Sequence, residues 1–197
     1  MAPKSSPTPL FGGALTCVLP AQWLDASDAR PVPDHQEVWL ERDGERSVII
    51  EILERADCDD SICAPFHFDD LAHGNDATSS EVEMIDPFAV NLLHSSLHTA
   101  ASCSLLIGSQ VLPASDEAGR VSPGGSSRVS SQLSVHLAVV RLAEQTTDLL
   151  VTVCRPHAPN SSAAEVKVQD SELLRKVLVS LTVEDFGLFG SAESSES

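Results

Sequence analysis

The clearest pattern in the chain is "QLSVHLAVVRL" (132–142), where Leu133, Val135, Leu137, Val139 and Arg141 alternate with Ser134, His136, Ala138, Val140 and Leu142. A period of two marks a β-strand, because successive side chains point to opposite faces of a sheet. The apolar run "DLLVTVC" (148–154) follows after only "AEQTT", so the two stretches predict an antiparallel hairpin. Shorter strands are expected at 13–19, 37–41, 47–53, 81–85 and 104–111.

Helical spacing is rarer. In "DSELLRKVLVSL", Asp170 or Ser171 is suited to cap an N-terminus, and Leu174, Val177, Leu178 and Leu181 recur at intervals of three and four, a stripe that would pack on the sheet. A shorter helix is expected from Pro65 through "FHFDDLA", with the proline in the first turn, where its missing N–H does no harm. Many short strands, few helices and no regular strand–helix alternation predict an α+β fold with a mostly antiparallel sheet.

A chain of 197 residues, 42% hydrophobic, is enough for one domain with a real core. The five cysteines are scattered without a CxxC pair, which argues against a disulfide framework or a zinc ribbon and fits a reducing compartment. Charge changes the picture more. The formal net charge is −17, and no Lys or Arg occurs between Arg55 and Arg120. Nucleic acid and anionic membranes are therefore poor partners. The acidic run is either a solvated surface or a face that steers a basic protein partner. No run of eighteen apolar residues offers a membrane span. "LFGGALTCVLPA" after Lys4 imitates a signal peptide but suits a mature strand equally well. The serine- and glycine-rich segment 115–132 is expected to be a flexible loop, "HAPNSSAAE" (157–165) a second loop, and 191–197 a disordered acidic tail.

Motifs for phosphate loops, dinucleotide folds, serine esterases and zincins are absent. His94 and His98 stand four apart, but no third ligand accompanies them. "CDDSIC" (58–63) is expected to be a loop, and the sequon at Asn160 carries little without a secretory signal. In "FHFDD", His67, Asp69 and Asp70 form a candidate acid/base cluster; the plainer expectation is that Phe66 and Phe68 anchor the segment in the core while the aspartates stay wet.

The stretch "RPVPDHQEV" (30–38) is more specific. Proline fixes its own φ and extends the residue before it, so Arg30, Pro31, Val32 and Pro33 should form a stiff arm that presents Asp34 at a turn. If a strand starts near Gln36, Asp34 and Glu37 lie together at its beginning. Two roles are open on these grounds: Asp34 satisfies backbone N–H groups in the turn, or the arm is a preorganised recognition epitope.

Here the sequence resembles the Ran guanine nucleotide release factors, the MOG family of Ran-binding proteins. "PLFGGA" (9–14), "LP" (19–20), "DASDARPVPDHQEV" (25–38), "SVIIEILE" (47–54), "FHFDDL" (66–71), "RLAEQTTDLLVTV" (141–153) and "SLTVEDFGLFG" (180–190) carry the likeness in the family's order. The resemblance implies one α/β domain over 9–190, after a flexible stretch 1–8, with an antiparallel sheet flanked by helices as in the photosystem protein PsbP, an α/β/α sandwich. It also implies a monomer that binds the GTPase Ran, alone or with a second Ran-binding protein. The chain would promote release of Ran's guanine nucleotide in support of nuclear import, moving between nucleus and cytoplasm. Such a factor is regulatory, performs no chemistry of its own and needs no cofactor or metal. Asp34 and Glu37 occupy the family's acidic Ran-binding positions, with Arg30 and Gln36 as neighbours. The serine-rich segment and 87–102 depart from the family pattern. Two competing expectations are a PsbP-like organellar protein, whose transit peptide would remove "PLFGGA", and a hydrolase using Asp34, His35 and His67.

Overall fold

The computed structural model describes residues 6–42, 44–113, 131–157 and 163–189. Among the described residues, ten strands and two α-helices follow one another. The first strands are β1 (Thr8–Leu10), β2 (Leu15–Cys17), β3 (Trp23–Asp25), β4 (Gln36–Glu41) and β5 (Ser47–Glu54). Helix α1 (Cys63–Gly74) precedes β6 (Ser79–Pro87), β7 (Ser102–Leu112), β8 (Ser131–Leu142) and β9 (Thr147–Pro156), and α2 (Ala163–Ser180) leads to β10 (Thr182–Val183). Seven strands form one antiparallel sheet in the order β3-β4-β5-β9-β8-β7-β6, and β1-β2-β10 form a small second sheet.

The expected hairpin forms, with Leu142 opposite Thr147 and Arg141 opposite Asp148. Alternation along β8 divides its side chains between two cores. Val135, Leu137 and Val139 meet Cys63, Ala64 and Phe68 of α1. Ala138, Val140 and Leu142 meet Leu173, Leu174, Val177, Leu178 and Leu181 of α2, together with Leu10, Leu15 and Cys17 of the small sheet. The helices therefore cover opposite faces, the expected α/β/α arrangement, and each buried apolar side chain contributes about 1.5–3 kcal/mol. At Gly108 in β7 the sheet admits Phe68 so closely that a Cβ would stand 2.7 Å from the ring and 2.6 Å from the Glu81 carbonyl oxygen.

Several local expectations are corrected. Helix α2 starts at Ala163, not near Asp170, because Ala164, Glu165, Lys167 and Gln169 are good helix formers. Asp170 is no cap: it is buried inside the helix and accepts two hydrogen bonds from Arg155, at 2.8 and 2.5 Å. Helix α1 begins two residues before Pro65, and Cys63 belongs to it rather than to a loop. Phe66 is half-exposed on its outer side, so only Phe68 is an anchor. The stretch 13–19 is broken by a 3-10 turn at Phe11–Gly13 and contributes only Leu15–Cys17, while Trp23–Asp25 adds a strand not expected from the sequence. Thr8 is already in a strand, and Ser131 and Gln132 belong to β8. The remainder of the serine-rich segment, Asn160 and the acidic tail lie outside the described residues.

Candidate functional site

Gln36 N–H donates to the Pro33 carbonyl at 2.9 Å and closes a turn with Asp34 and His35 at its tip, as the prolines predict. The turn is braced from β5. Ile52 N–H donates to the His35 carbonyl at 2.9 Å, Gln36 Nε2 donates to Glu51 Oε1 at 2.7 Å, and His35 Nε2 lies 3.4 Å from the same oxygen. Asp34 is exposed, and among the described residues its side chain accepts no hydrogen bond. Satisfying the backbone of the turn is thus not its role there.

Glu37 differs. It lies half-buried opposite Ile50 in the β4–β5 ladder, and its Oε1 accepts the Phe11 N–H at 2.5 Å. Burial raises its carboxyl above the ordinary value; the Phe11 N–H opposes that shift and the Asp25 charge adds to it. Glu41, at the far end of the same strand, is held below its ordinary value by hydrogen bonding to Arg46. Asp25 accepts the Ser27 N–H at 2.8 Å and caps the 3-10 turn Ala26–Asp28 that precedes the arm.

These segments enclose a recess of about 260 Å³ lined by Asp25, Asp34 and Glu37 and by Phe11, Val32 and Gln36, with no Lys or Arg in its lining among the described residues. Three of the four sequence-predicted residues, Asp34, Gln36 and Glu37, come together here; exposed Arg30 stands outside the lining. The arrangement suits a cationic group arriving from outside, because its carboxylates lack an internal counter-ion. The contribution of Phe11, 26 residues before Glu37, was not visible in local sequence.

The family model described as Ran-interacting Mog1 protein matches residues 8–156. The chain belongs to the Ran-interacting Mog1 family. It is 31% identical to the Ran guanine nucleotide release factor of Bos taurus over 188 residues, covering 92% of this chain and 95% of that protein. It is 32% identical to the nuclear import protein mog1 of Schizosaccharomyces pombe, with 82% of each chain covered. The crystal structure of the Saccharomyces cerevisiae Ran-binding protein Mog1p has the same fold, with a TM-score of 0.69 at 22% identity, over 94% of this chain and 98% of that one. The Mog1-family match begins inside the stretch that a transit peptide would discard, so the organellar alternative is not favoured. Moreover, β1 and β2 bury Leu10, Leu15 and Cys17 in the core.

A second polar cluster lies beneath the sheet. Asp148, wholly buried, accepts from Arg141 Nε at 3.1 Å and the Ala56 N–H at 3.0 Å, with His67 Nε2 at 2.9 Å and Cys63 Sγ at 3.5 Å. Cys63, His67 and Asp148 lie close enough to hold a metal. The donor set fits one poorly: the Arg141 guanidinium already neutralises the carboxylate, and burial first, then the Asp148 charge, raises the Cys63 thiol far from the thiolate a metal requires. This is a structural hub. His67 is bound there, whereas Asp69 and Asp70 are exposed and His35 meets Glu51, so neither the acid/base cluster nor the Asp34, His35 and His67 hydrolase is assembled. His94 and His98 are engaged with Ser96 and the Leu93 carbonyl.

Proposed function

We propose that this chain binds the small GTPase Ran and promotes release of its guanine nucleotide, acting in nuclear protein import between nucleus and cytoplasm. The observation that carries the reading is the acidic recess, without Lys or Arg among its described residues, on a braced, proline-led arm in a member of the Ran-interacting Mog1 family. Asp34, Glu37, Arg30 and Gln36 make the Ran-facing surface. The chain acts as a monomer and as a regulatory factor without covalent chemistry, alone or with a second Ran-binding protein.

A GTPase holds its nucleotide through a phosphate-binding loop, its lysine and Mg²⁺. Carboxylates on a rigid arm compete for those cationic groups, and rigidity lowers the ordering cost of binding. Release follows only if the factor binds the nucleotide-poor state more tightly, since equal affinity for both states shifts nothing. The net charge of −17 favours encounter with a basic surface, so association slows as salt rises. The test is release of labelled nucleotide from Ran. Wild type should accelerate it, and the Asp34→Ala/Glu37→Ala double variant should return it to the unassisted rate; an unchanged double variant refutes the site.

A further inference from the structure

The Glu37 carboxylate is committed within its own molecule. The turn it grips is unusual: Phe11, Gly12 and Gly13 have φ values of 48°, 66° and 96°, all in the left-handed region. Added Cβ atoms at Gly12 and Gly13 would meet nothing within 4 Å, so these glycines answer to backbone conformation rather than space. Phe11 has no such freedom, and a phenylalanine in that region persists only where its surroundings impose it. The imposed contact is the hydrogen bond from its N–H to Glu37 Oε1. Phe11 in turn lines the recess together with Asp34.

We propose that Glu37 is a positioning residue: its carboxylate holds the Phe11–Gly13 turn in place as a wall of the recess, while exposed Asp34 meets the cationic groups of Ran. The directions of the side chains support this division. Glu37 stands opposite Ile50, on the face where the small sheet and α2 pack, and Asp34 lies at the tip of the turn. The proposal rests on the Ran reading above and differs from a direct charge contact in one respect. A glutamine at position 37 keeps an acceptor for the Phe11 N–H and removes only the charge.

Ran affinity is measured by titration calorimetry, and amide exchange of Phe11 is followed in the free protein. Glu37→Ala should weaken binding about tenfold, the equivalent of ~1.4 kcal/mol, and speed exchange at Phe11. Glu37→Gln should stay within roughly threefold of wild type, a neutral hydrogen bond being weaker than a charge-assisted one, and should keep Phe11 protected. Asp34→Asn should weaken binding without changing Phe11 exchange. If Glu37→Gln loses as much affinity as Glu37→Ala, or if Glu37→Ala leaves Phe11 protected, the positioning role is wrong. Failure of the wild-type chain to bind Ran overturns the functional reading, whereas Phe11 exchange in Glu37→Ala, measured without Ran, decides by itself whether Glu37 holds the turn.

Discussion

Replacing Asp148 by asparagine should destabilise the fold by about 3 kcal/mol, the lower end of the cost of breaking a buried ion pair. Asp148 is 0% and Arg141 1% exposed, so neither charge has water to fall back on. The carboxylate loses its charge while Arg141 stays ionised. Arg141 keeps the Ala56 and Cys58 carbonyls and Asp60, but the Asp60 side chain is 42% exposed and its charge is screened. Those remaining partners are why the lower end applies. At ~2–4 °C per kcal/mol for a chain of this size, Tm should fall by about 6–12 °C, measured by circular dichroism at pH 7 beside urea titrations. Burial alone would raise the Asp148 pKa; hydrogen bonds to His67, the Ala56 N–H and Arg141 outweigh it and hold the group below its ordinary value. A depressed folded pKa means that the stabilisation is full above about pH 4 and disappears as pH falls through the lower folded value, so wild type and variant should converge in strong acid. A loss within ~0.5 kcal/mol for Asp148→Asn, typical of a surface change, would refute the buried ion pair.

Gly108→Ala should cost about 1–3 kcal/mol in urea unfolding, since the new methyl meets the Glu81 carbonyl as well as the Phe68 ring and backbone cannot step aside cheaply. Alkylation of the native protein at pH 8 followed by peptide mapping should label half-buried Cys58 first. Burial raises Cys17, Cys103 and Cys154 to about 12, and all five cysteines should label once the chain is denatured. Glu37→Gln should raise Tm at neutral pH, where wild type carries a half-buried charge beside Asp25. A raised folded pKa contributes stability below the unfolded value and loses it as pH rises, so the gain should vanish below about pH 4; an equal gain at all pH values would contradict this.

Strands β5, β7, β8 and β9 were legible because each is a long alternating or continuous apolar run bounded by turns. Trp23–Asp25 was not, since three residues establish no period. The buried hub has a signal in the sequence: Arg141 sits on the otherwise apolar stripe of β8, and Arg141 and Asp148 are equidistant from the hairpin turn, which places them opposite each other. Proximity in sequence groups His67 with Asp69 and Asp70, but Asp69, two residues on, does not share its helix face, and both aspartates are exposed while His67 is buried against Asp148.

Local sequence by itself determined the antiparallel hairpin, the apolar stripe of α2 and the turn that presents Asp34, because short-range sterics and periodicity act on neighbours along the chain. It also carried the family likeness. Only the tertiary structure decided which carboxylates are free and which are committed. Asp34 remains exposed, Glu37 is bound to the Phe11 N–H, and Asp148 is buried against Arg141 and His67. The reason is that desolvation and hydrogen bonding are set by atoms brought close in space, for Glu37 and His67 from 26 and 81 residues away, and no local pattern encodes those contacts.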